Sequence, residues 1–436
     1  MNNLAFNPSP STIMHIDLNS CFATIEQQAN PHLRGKPIAV AAYTTPFGCI
    51  LAPSIEAKSY GIQTGMRVKD GKALCPKLIV LPPDPWKYRN VHLALRKILK
   101  DYTNDLNPKS IDEFVLNMKD YLLLLREPPC KVVAQSSMHR IALEIKQRIK
   151  REIGEWLTVS VGIAPNRFLA KLASQLKKPD GLEEINKDNF LNRYLKLKLT
   201  DLPYIKARNA IRLNSVGIFS VLDFYQSPVW KLKAAFKSIL GYYWYVRLHG
   251  YELDDVVFGR RSYGNSYAFP KPLITPEQIA PILTKLVEKM GFRLRRAGYK
   301  ARGVHLAVTF RDGSFWHKSA SWRTKAFFDS RDIYRQAFKI LCACPYLKPA
   351  CRQAGPVRDL AVSVFNLLKS GVSQLELFED IEKRENMVKA VDEVNERWGN
   401  FVVTPARMLS AATAVPDRIA FGNIKELEEF TIRDTN

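Results

Sequence analysis

Long apolar runs are missing from this chain of 436 residues. The largest obvious cluster, Tyr121–Leu125, is far short of the roughly 18–20 residues that cross a bilayer, which excludes a membrane-spanning helix. Cysteine is scarce as well. Seven are scattered along the chain with no CxxC pair, so neither a disulfide framework nor a zinc knuckle is expected. Cys342 and Cys344, with Cys351 beyond them, read as buried helix cysteines. The first residues, MNNLAFNPSPST, lack the basic start and apolar core of a signal peptide, and the expectation is a soluble protein that stays in the cytoplasm. Internal repeats and low-complexity tracts are absent too.

Acidic residues are also in short supply. There are 42 Asp and Glu against 65 Lys and Arg, a net charge of +23, and an excess of that size suits a polyanionic partner. The excess is not spread evenly. Between Phe258 and Arg358 there are 20 basic residues and five acids, which concentrates positive charge in one segment and favours a binding surface. The remaining composition, 46% hydrophobic and 25% charged, is that of a globular protein. At roughly 100–200 residues per domain the chain should hold about two to four.

Hydrophobic periodicity gives an α+β layout. Short strands are expected at Ile13–Asp17, Pro37–Tyr43, Cys49–Ala52, Leu78–Leu81, Ser110–Met118 and Thr158–Ile163, with helices between them, forming a sheet backed by helices. From Leu191 to Tyr251 short helices are broken by Pro203, Gly217, Pro228 and Gly241. A second pattern follows. Strand Tyr263–Phe269, helix Pro276–Ala297, strands Val304–Phe310 and Phe315–Trp322, helix Asp329–Cys344 and strand Leu360–Phe365 give βαββαβ, a small domain with one sheet face left for contact. The tail from Gly371 carries one helix, Glu379–Arg397.

Asp17 closes an apolar strand, and Asp112-Glu113 lie on a distant one. Carboxylates gathered at strand ends in one sheet are a means of holding Mg²⁺, a cation that prefers oxygen ligands and accompanies phosphates. Two such ions activate a hydroxyl and stabilise a leaving phosphate oxygen. Three ordinary surface acids fit the spacing equally well. Neighbouring residues on a strand face opposite sides, so Asp112 and Glu113 reach one ion only if a twist or turn intervenes.

Several blocks together resemble the Y-family translesion DNA polymerases: HIDLNSCFATIE (15–26), GCILAPSIEAKSYGIQTGM (48–66), SIDEFVLNM (110–118) and VGIAPNRFLAKLASQLKKPDGL (161–182). They occur in the family's order over about the first 370 residues. The resemblance implies a multidomain right-hand polymerase: a catalytic palm (1–24 and 82–185), small fingers (25–81), a helical thumb (186–255), a βαββαβ little finger (256–370) and a tail (371–436). It implies catalytic acids Asp17, Asp112 and Glu113, and two Mg²⁺ ions held by these and the Leu18 carbonyl. Phe22 matches the aromatic steric gate that excludes a ribose 2′-hydroxyl. Cys21, Ile55, Lys58 and Lys178 fall at nucleotide-binding positions.

Departures from the family pattern accompany these matches. Asn19 stands where many members have Asp, Cys21 where an aromatic is usual, and Ala52 and Ile55 where archaeal relatives have threonine and tyrosine. In LPYIKARNAIRLNSVGI (202–218), similar to the family's helix-hairpin-helix, Tyr204 and Lys206 replace glycines. Lys206 and the sheet residues Arg260, Arg261, Lys318 and Arg323 are the candidate DNA contacts. Reversal of Arg293, Arg295 and Arg296 is a further test of DNA affinity. Gln374, Leu375, Leu377 and Phe378 resemble the pentapeptide by which bacterial polymerases bind the sliding clamp. The implied function is template-directed, low-fidelity DNA synthesis past damage by a bacterial monomer, with primer-template DNA and dNTP as substrates and room for accessory subunits. A non-catalytic DNA-binding adaptor on the same fold, and a nuclease using the same acids, are the competing readings.

Overall fold

The structure, a computed structural model, describes residues 4–124, 131–256, 259–347, 356–369, 381–399 and 401–415. It comprises two compact units that divide at residues 257 and 258.

The first unit is built on a five-stranded sheet of order β5-β6-β1-β7-β8, comprising β1 (Ile13–Leu18), β5 (Leu106–Pro108), β6 (Glu113–Asn117), β7 (Val159–Ala164) and β8 (Leu182–Glu184). β1 lies at the centre with antiparallel partners on both sides, and all six of its residues are buried. This explains its run of apolar residues without alternation. Helices Pro85–Lys100, Lys131–Glu152 and Arg167–Leu176 accompany the sheet. A smaller sheet of order β3-β2-β4, from β2 (Ile38–Ala41), β3 (Ile50–Pro53) and β4 (Ile79–Leu81), has its own core around Ala39, Ile50, Ile62 and Leu78. Residues 190–248 form short helices around Phe190, Tyr194, Leu213, Phe224 and Trp244.

The second unit carries a sheet of order β11-β10-β12-β9, from β9 (Ser262–Leu273), β10 (Tyr299–Phe310), β11 (Phe315–Ser321) and β12 (Val357–Lys369). Helices Pro276–Arg296 and Ser330–Cys342 share one core with Val304, Leu306, Val308, Phe310, Leu360, Val362 and Val364. The expected βαββαβ order is present, with β9, β10 and β12 longer than periodicity suggested. Cys344 is buried, but Cys342 is exposed at the end of its helix, contrary to the expectation of two buried thiols. Cys351 lies outside the described residues.

The helix expected in the tail at Glu379–Arg397 is present, as Ile381–Trp398. Helix Ile381–Trp398 sits on the second unit through charge: Arg295 makes a two-pronged pair with Asp392, at 2.6 and 2.8 Å. Lys300 pairs with Glu385, and Arg384 with Asp329 and Asp332. Beyond it, buried Lys285 donates to the carbonyls of Ala411 and Ala412, while Val415 enters the core. Arg295 and Arg296 are thus bound to tail acids, and Arg293 donates to the Gly264 carbonyl and Asn265, which accounts for a basic cluster on a helix surface without invoking DNA. Gln374, Leu375, Leu377 and Phe378 lie outside the described residues.

Candidate active site

Asp17 stands one residue from the end of β1 and directly opposite Glu113, the first residue of β6. Directly opposed residues of an antiparallel pair project to the same face, so the two carboxylates are neighbours although 96 positions separate them in the chain. Asp112 is not part of the strand, contrary to the expected strand from Ser110. It occupies the bend before β6, which is the turn that lets successive acids approach one place.

That bend is fixed from three sides. The Leu18 N–H donates to the Asp112 carbonyl at 2.9 Å. The Ser110 hydroxyl donates to Asp112 Oδ1 at 2.5 Å. Buried His92, stacked on Phe114, has Nδ1 2.9 Å from the Ile111 carbonyl, the geometry of a ring N–H donor.

The site is rich in mutual influence among charges. Burial pushes the Asp112 carboxyl up to about 6, with Asp17 and Glu113 adding to the rise and the Ser110 hydroxyl opposing it. Burial also raises Asp17, against the pull of Lys178, whose Nζ lies 2.6 Å from Asp17 Oδ1. Lys171 donates to both oxygens of Glu113, at 2.7 and 2.6 Å. Lys58 is lowered by burial and then by Lys178, with Asp17 opposing, which places these three charges in one neighbourhood.

His15 belongs to the same constellation and was not singled out in the sequence. It precedes Asp17 by two residues on β1, so it shares that face, and its Nε2 is 4.0 Å from Glu113 Oε2. Neither ring nitrogen has a hydrogen-bond partner. Burial, then Lys171, Lys178 and Lys109, hold it well below the ordinary histidine range, hence neutral. His15, Asp17 and Glu113 can each offer one ligand atom within 4.8 Å of the others. The i, i+2 spacing on a strand was the available signal.

Helix Cys21–Ala29 leaves β1 through Asn19 and Ser20. Asn19 is tied into the sheet: its Oδ1 accepts from the Ser160 hydroxyl at 2.9 Å and its Nδ2 donates to Thr158 Oγ1 at 3.1 Å. An amide that can both accept and donate meets these two hydroxyls; a carboxylate would offer acceptors only. Cys21 is buried, its thiol pushed well up by burial and then by Asp112 and Asp17. Phe22 is 1% exposed and stacks on Tyr88, with ring centroids 4.2 Å apart. Tyr88 in turn donates to Glu26 at 2.8 Å. Ala52 is buried and Ile55 is partly exposed at the start of helix Ile55–Ser59.

Tyr204 takes the left-handed conformation, φ 69°, that glycine would adopt without strain. Its exposed ring lies 5.7 Å from the Lys171 ammonium. Lys206 is exposed at the start of helix Ala207–Asn214. In the second unit, Arg260 lies over the Tyr263 ring at 4.3 Å, and Arg261 and Arg323 are exposed. Lys318 is exposed but registers opposite buried Leu306, so it extends toward the helix-covered side of edge strand β11, not onto the open face. That open face carries mostly small and polar residues in register: Gly264 and Ser266 stand opposite Ser363 and Ala361, with the larger Phe365 opposite Ser262 at one end.

A lysine-ringed acid cluster on a five-stranded sheet, with a separate βαββαβ unit, is the organisation of a Y-family DNA polymerase. A solved Y-family DNA polymerase chimera has this fold: TM-score 0.70 at 22% identity, covering 82% of this chain and 99% of that one. The impB/mucB/samB family signature matches residues 16–175, and that of its C-terminal domain residues 260–377. DNA polymerase IV of Pelotomaculum thermopropionicum is 30% identical over 413 residues, 93% of this chain and 97% of that protein. DNA polymerase IV of Moorella thermoacetica is 31% identical over 415 residues, 93% and 98% of the two chains. DNA polymerase IV 1 of Bacillus subtilis is 29% identical over 401 residues, 90% and 91%. The chain belongs to the impB/mucB/samB family of Y-family translesion DNA polymerases. Among the described residues no helix is long and apolar enough to cross a membrane.

Proposed function

We propose that this chain extends a DNA primer along a template, past damaged bases, with the cluster of Asp17, Asp112 and Glu113 as its catalytic centre. The observation that carries this reading is the pairing of Asp17 with Glu113 across β1 and β6, with Asp112 in the adjoining bend and Lys178 alongside. The donor set fits Mg²⁺: three carboxylates, with the Leu18 carbonyl as a fourth oxygen, in a place where burial and like charge raise Asp112 and so leave it short of positive charge. Two ions bound there would supply the charge that makes a primer 3′-hydroxyl nucleophilic and steadies the departing pyrophosphate.

The remaining groups bind and orient. Lys178 and Lys58 supply ammonium groups for the triphosphate of the incoming nucleotide. The Phe22 ring, locked by Tyr88, stands where a ribose 2′-hydroxyl would have to fit, which selects dNTP over NTP. Cys21, Ala52 and Ile55 leave a site with few bulky contacts, which supports tolerance of lesions and low fidelity. In this reading the palm is 1–24 and 82–185, the fingers 25–81, the thumb 186–255 and the little finger 256–370, with residues 381–415 of the tail docked on that last unit. Duplex DNA is held by Lys206 and by the basic residues Arg260 and Arg261, with the small residues Gly264, Ser266, Ala361 and Ser363 of β9 and β12 allowing close backbone approach. The pentapeptide Gln374–Phe378 would recruit a sliding clamp, and its test is loss of clamp binding when Leu377 and Phe378 are changed to alanine.

Primer extension with purified full-length protein tests the central reading. Wild type should extend a primer with dNTP and Mg²⁺, and Asp112→Asn or Asp17→Asn should lose at least about a thousandfold in rate while staying folded. No extension by wild type would leave the adaptor reading in place. Shortening of the primer without dNTP would mean nuclease chemistry.

A further inference from the structure

At one end of the four-stranded sheet, a cavity of about 450 Å³ opens among Arg302 of β10, Ser321 at the end of β11, Trp322 and Arg323 beyond it, and Asn366, Leu367 and Leu368 of β12. It has a structural cause. The β10–β12 ladder runs with Ala301 opposite Leu367 and Gly303 opposite Phe365, but the step between them, Arg302 against Asn366, is unpaired. Asn366 takes a left-handed backbone, φ 55°, which breaks the ladder there. Asparagine takes this backbone conformation more readily than most residues, so the break is written into the strand by its own residue type.

The lining has a definite chemistry. It holds two guanidinium groups and no carboxylate. Several other arginines of this unit sit on acids, as Arg295 does on Asp392, Arg358 on Asp359 and Arg384 on Asp332. Arg302 Nε is shielded from solvent without any hydrogen-bond partner, a donor desolvated in advance of an acceptor. Trp322 packs edge-on against Phe327, at 4.9 Å, and its backbone N–H holds the Arg302 carbonyl at 2.8 Å. The indole is thereby fixed beside the arginines rather than free to turn away. Paired guanidiniums for a phosphate, an aromatic face for a base, and hydroxyl and amide groups at the rim define a nucleotide subsite.

We propose that this cavity binds one nucleotide of a single-stranded DNA segment, its phosphate between Arg302 and Arg323 and its base against Trp322. This rests on the reading of the chain as a DNA polymerase and adds a strand-specific contact separate from duplex binding. The partly exposed indole decides for a single strand: an unpaired base can stack on Trp322 beside the two guanidiniums, whereas a duplex keeps its bases stacked inside and offers only phosphates.

The test uses the full chain and three probes: a labelled dT12 oligonucleotide, a blunt hairpin duplex, and free dTMP or inorganic phosphate as competitor. Arg302→Gln should weaken dT12 binding roughly tenfold, the loss of one charge-assisted bond. It should also flatten the log K against log salt slope by about 0.7, while blunt duplex binding stays within about twofold. Arg323→Gln, on an exposed side chain with no fold to upset, should show the same selectivity for dT12. dTMP should displace dT12 at lower concentration than inorganic phosphate. Equal losses on dT12 and blunt duplex, unchanged dT12 binding in both variants, or equal competition by phosphate and dTMP would each overturn the proposal. Primer extension by wild type reports the polymerase reading separately, so the two can fail independently.

Discussion

The Lys171 ammonium grips Glu113 by both carboxylate oxygens, at 2.6 and 2.7 Å. Burial alone would pull Lys171 down, but Glu113 more than offsets it, and the Tyr204 ring closes the other side. Lys171 therefore positions one of the three acids proposed as the catalytic centre. Lys171→Met should lower the single-turnover extension rate by roughly tenfold or more, the value of one charge-assisted contact, and Lys171→Arg should restore much of it. Tyr204→Gly should cost only about two- to fivefold, as suits an exposed cation–π contact.

Asp112 gives a pH prediction whose sign can be worked out. Its folded-state carboxyl is raised to about 6 from an ordinary value of 3.8, so the folded protein binds this proton more tightly than the unfolded chain. The stability it contributes is complete below pH 4 and is lost as pH rises through 6. Asp112→Asn removes that loss. Without divalent ions, the variant should be more stable than wild type at pH 7.5 by on the order of 1–2 kcal/mol, and the gap should close below pH 4 in urea titrations.

Phe22 is packed too tightly to be removed without harm: Phe→Ala at a buried site costs about 3–5 kcal/mol. Phe22→Val is the milder probe. It should leave a folded enzyme whose preference for dNTP over NTP falls by roughly a hundredfold, read as a ratio of kcat/KM values.

Gly162 sets the distance between β7 and helix Arg167–Leu176. A Cβ there would lie 2.0 Å from the Ala170 carbonyl oxygen and 2.2 Å from the Ser174 nitrogen, both backbone atoms. Gly162→Ala should cost about 3 kcal/mol in denaturant unfolding. It should also slow extension, since the displaced helix carries Lys171.

Arg295 and Asp392 are expected to act on stability, not on DNA. A double-mutant cycle with Arg295→Ala and Asp392→Ala should give a coupling of about 1–3 kcal/mol, given their partial burial. The salt slope of DNA binding should not move in either single variant.

Much of the site was legible from the amino-acid order. Asp17 was legible as a carboxylate near the end of a buried strand, because the apolar residues Ile13, Met14 and Ile16 lead up to it. The acids at 112 and 113, the aromatic at 22 and the lysines at 58 and 178 were singled out by the short blocks in which they occur. The basic bias of residues 258–358 was plain from counting. What counting could not do was sort those charges: Arg295 and Arg296 meet tail acids about a hundred positions away, and Lys318 points off the open face because of one register.

The sequence by itself determined the long strands and helices, since burial periods of two and 3.6 residues are written locally; the three-residue edge strands Leu106–Pro108 and Leu182–Glu184 are too short to carry such a period. Only the tertiary structure decided that Glu113 opposes Asp17, that a bend sets Asp112 within electrostatic reach of both, that neutral His15 joins Asp17 and Glu113, and that a missed step against Asn366 opens a cavity. Those are matters of register and of long-range electrostatics. A shift of one residue in pairing turns every side chain to the other face, and no local pattern records which shift the packed core selects.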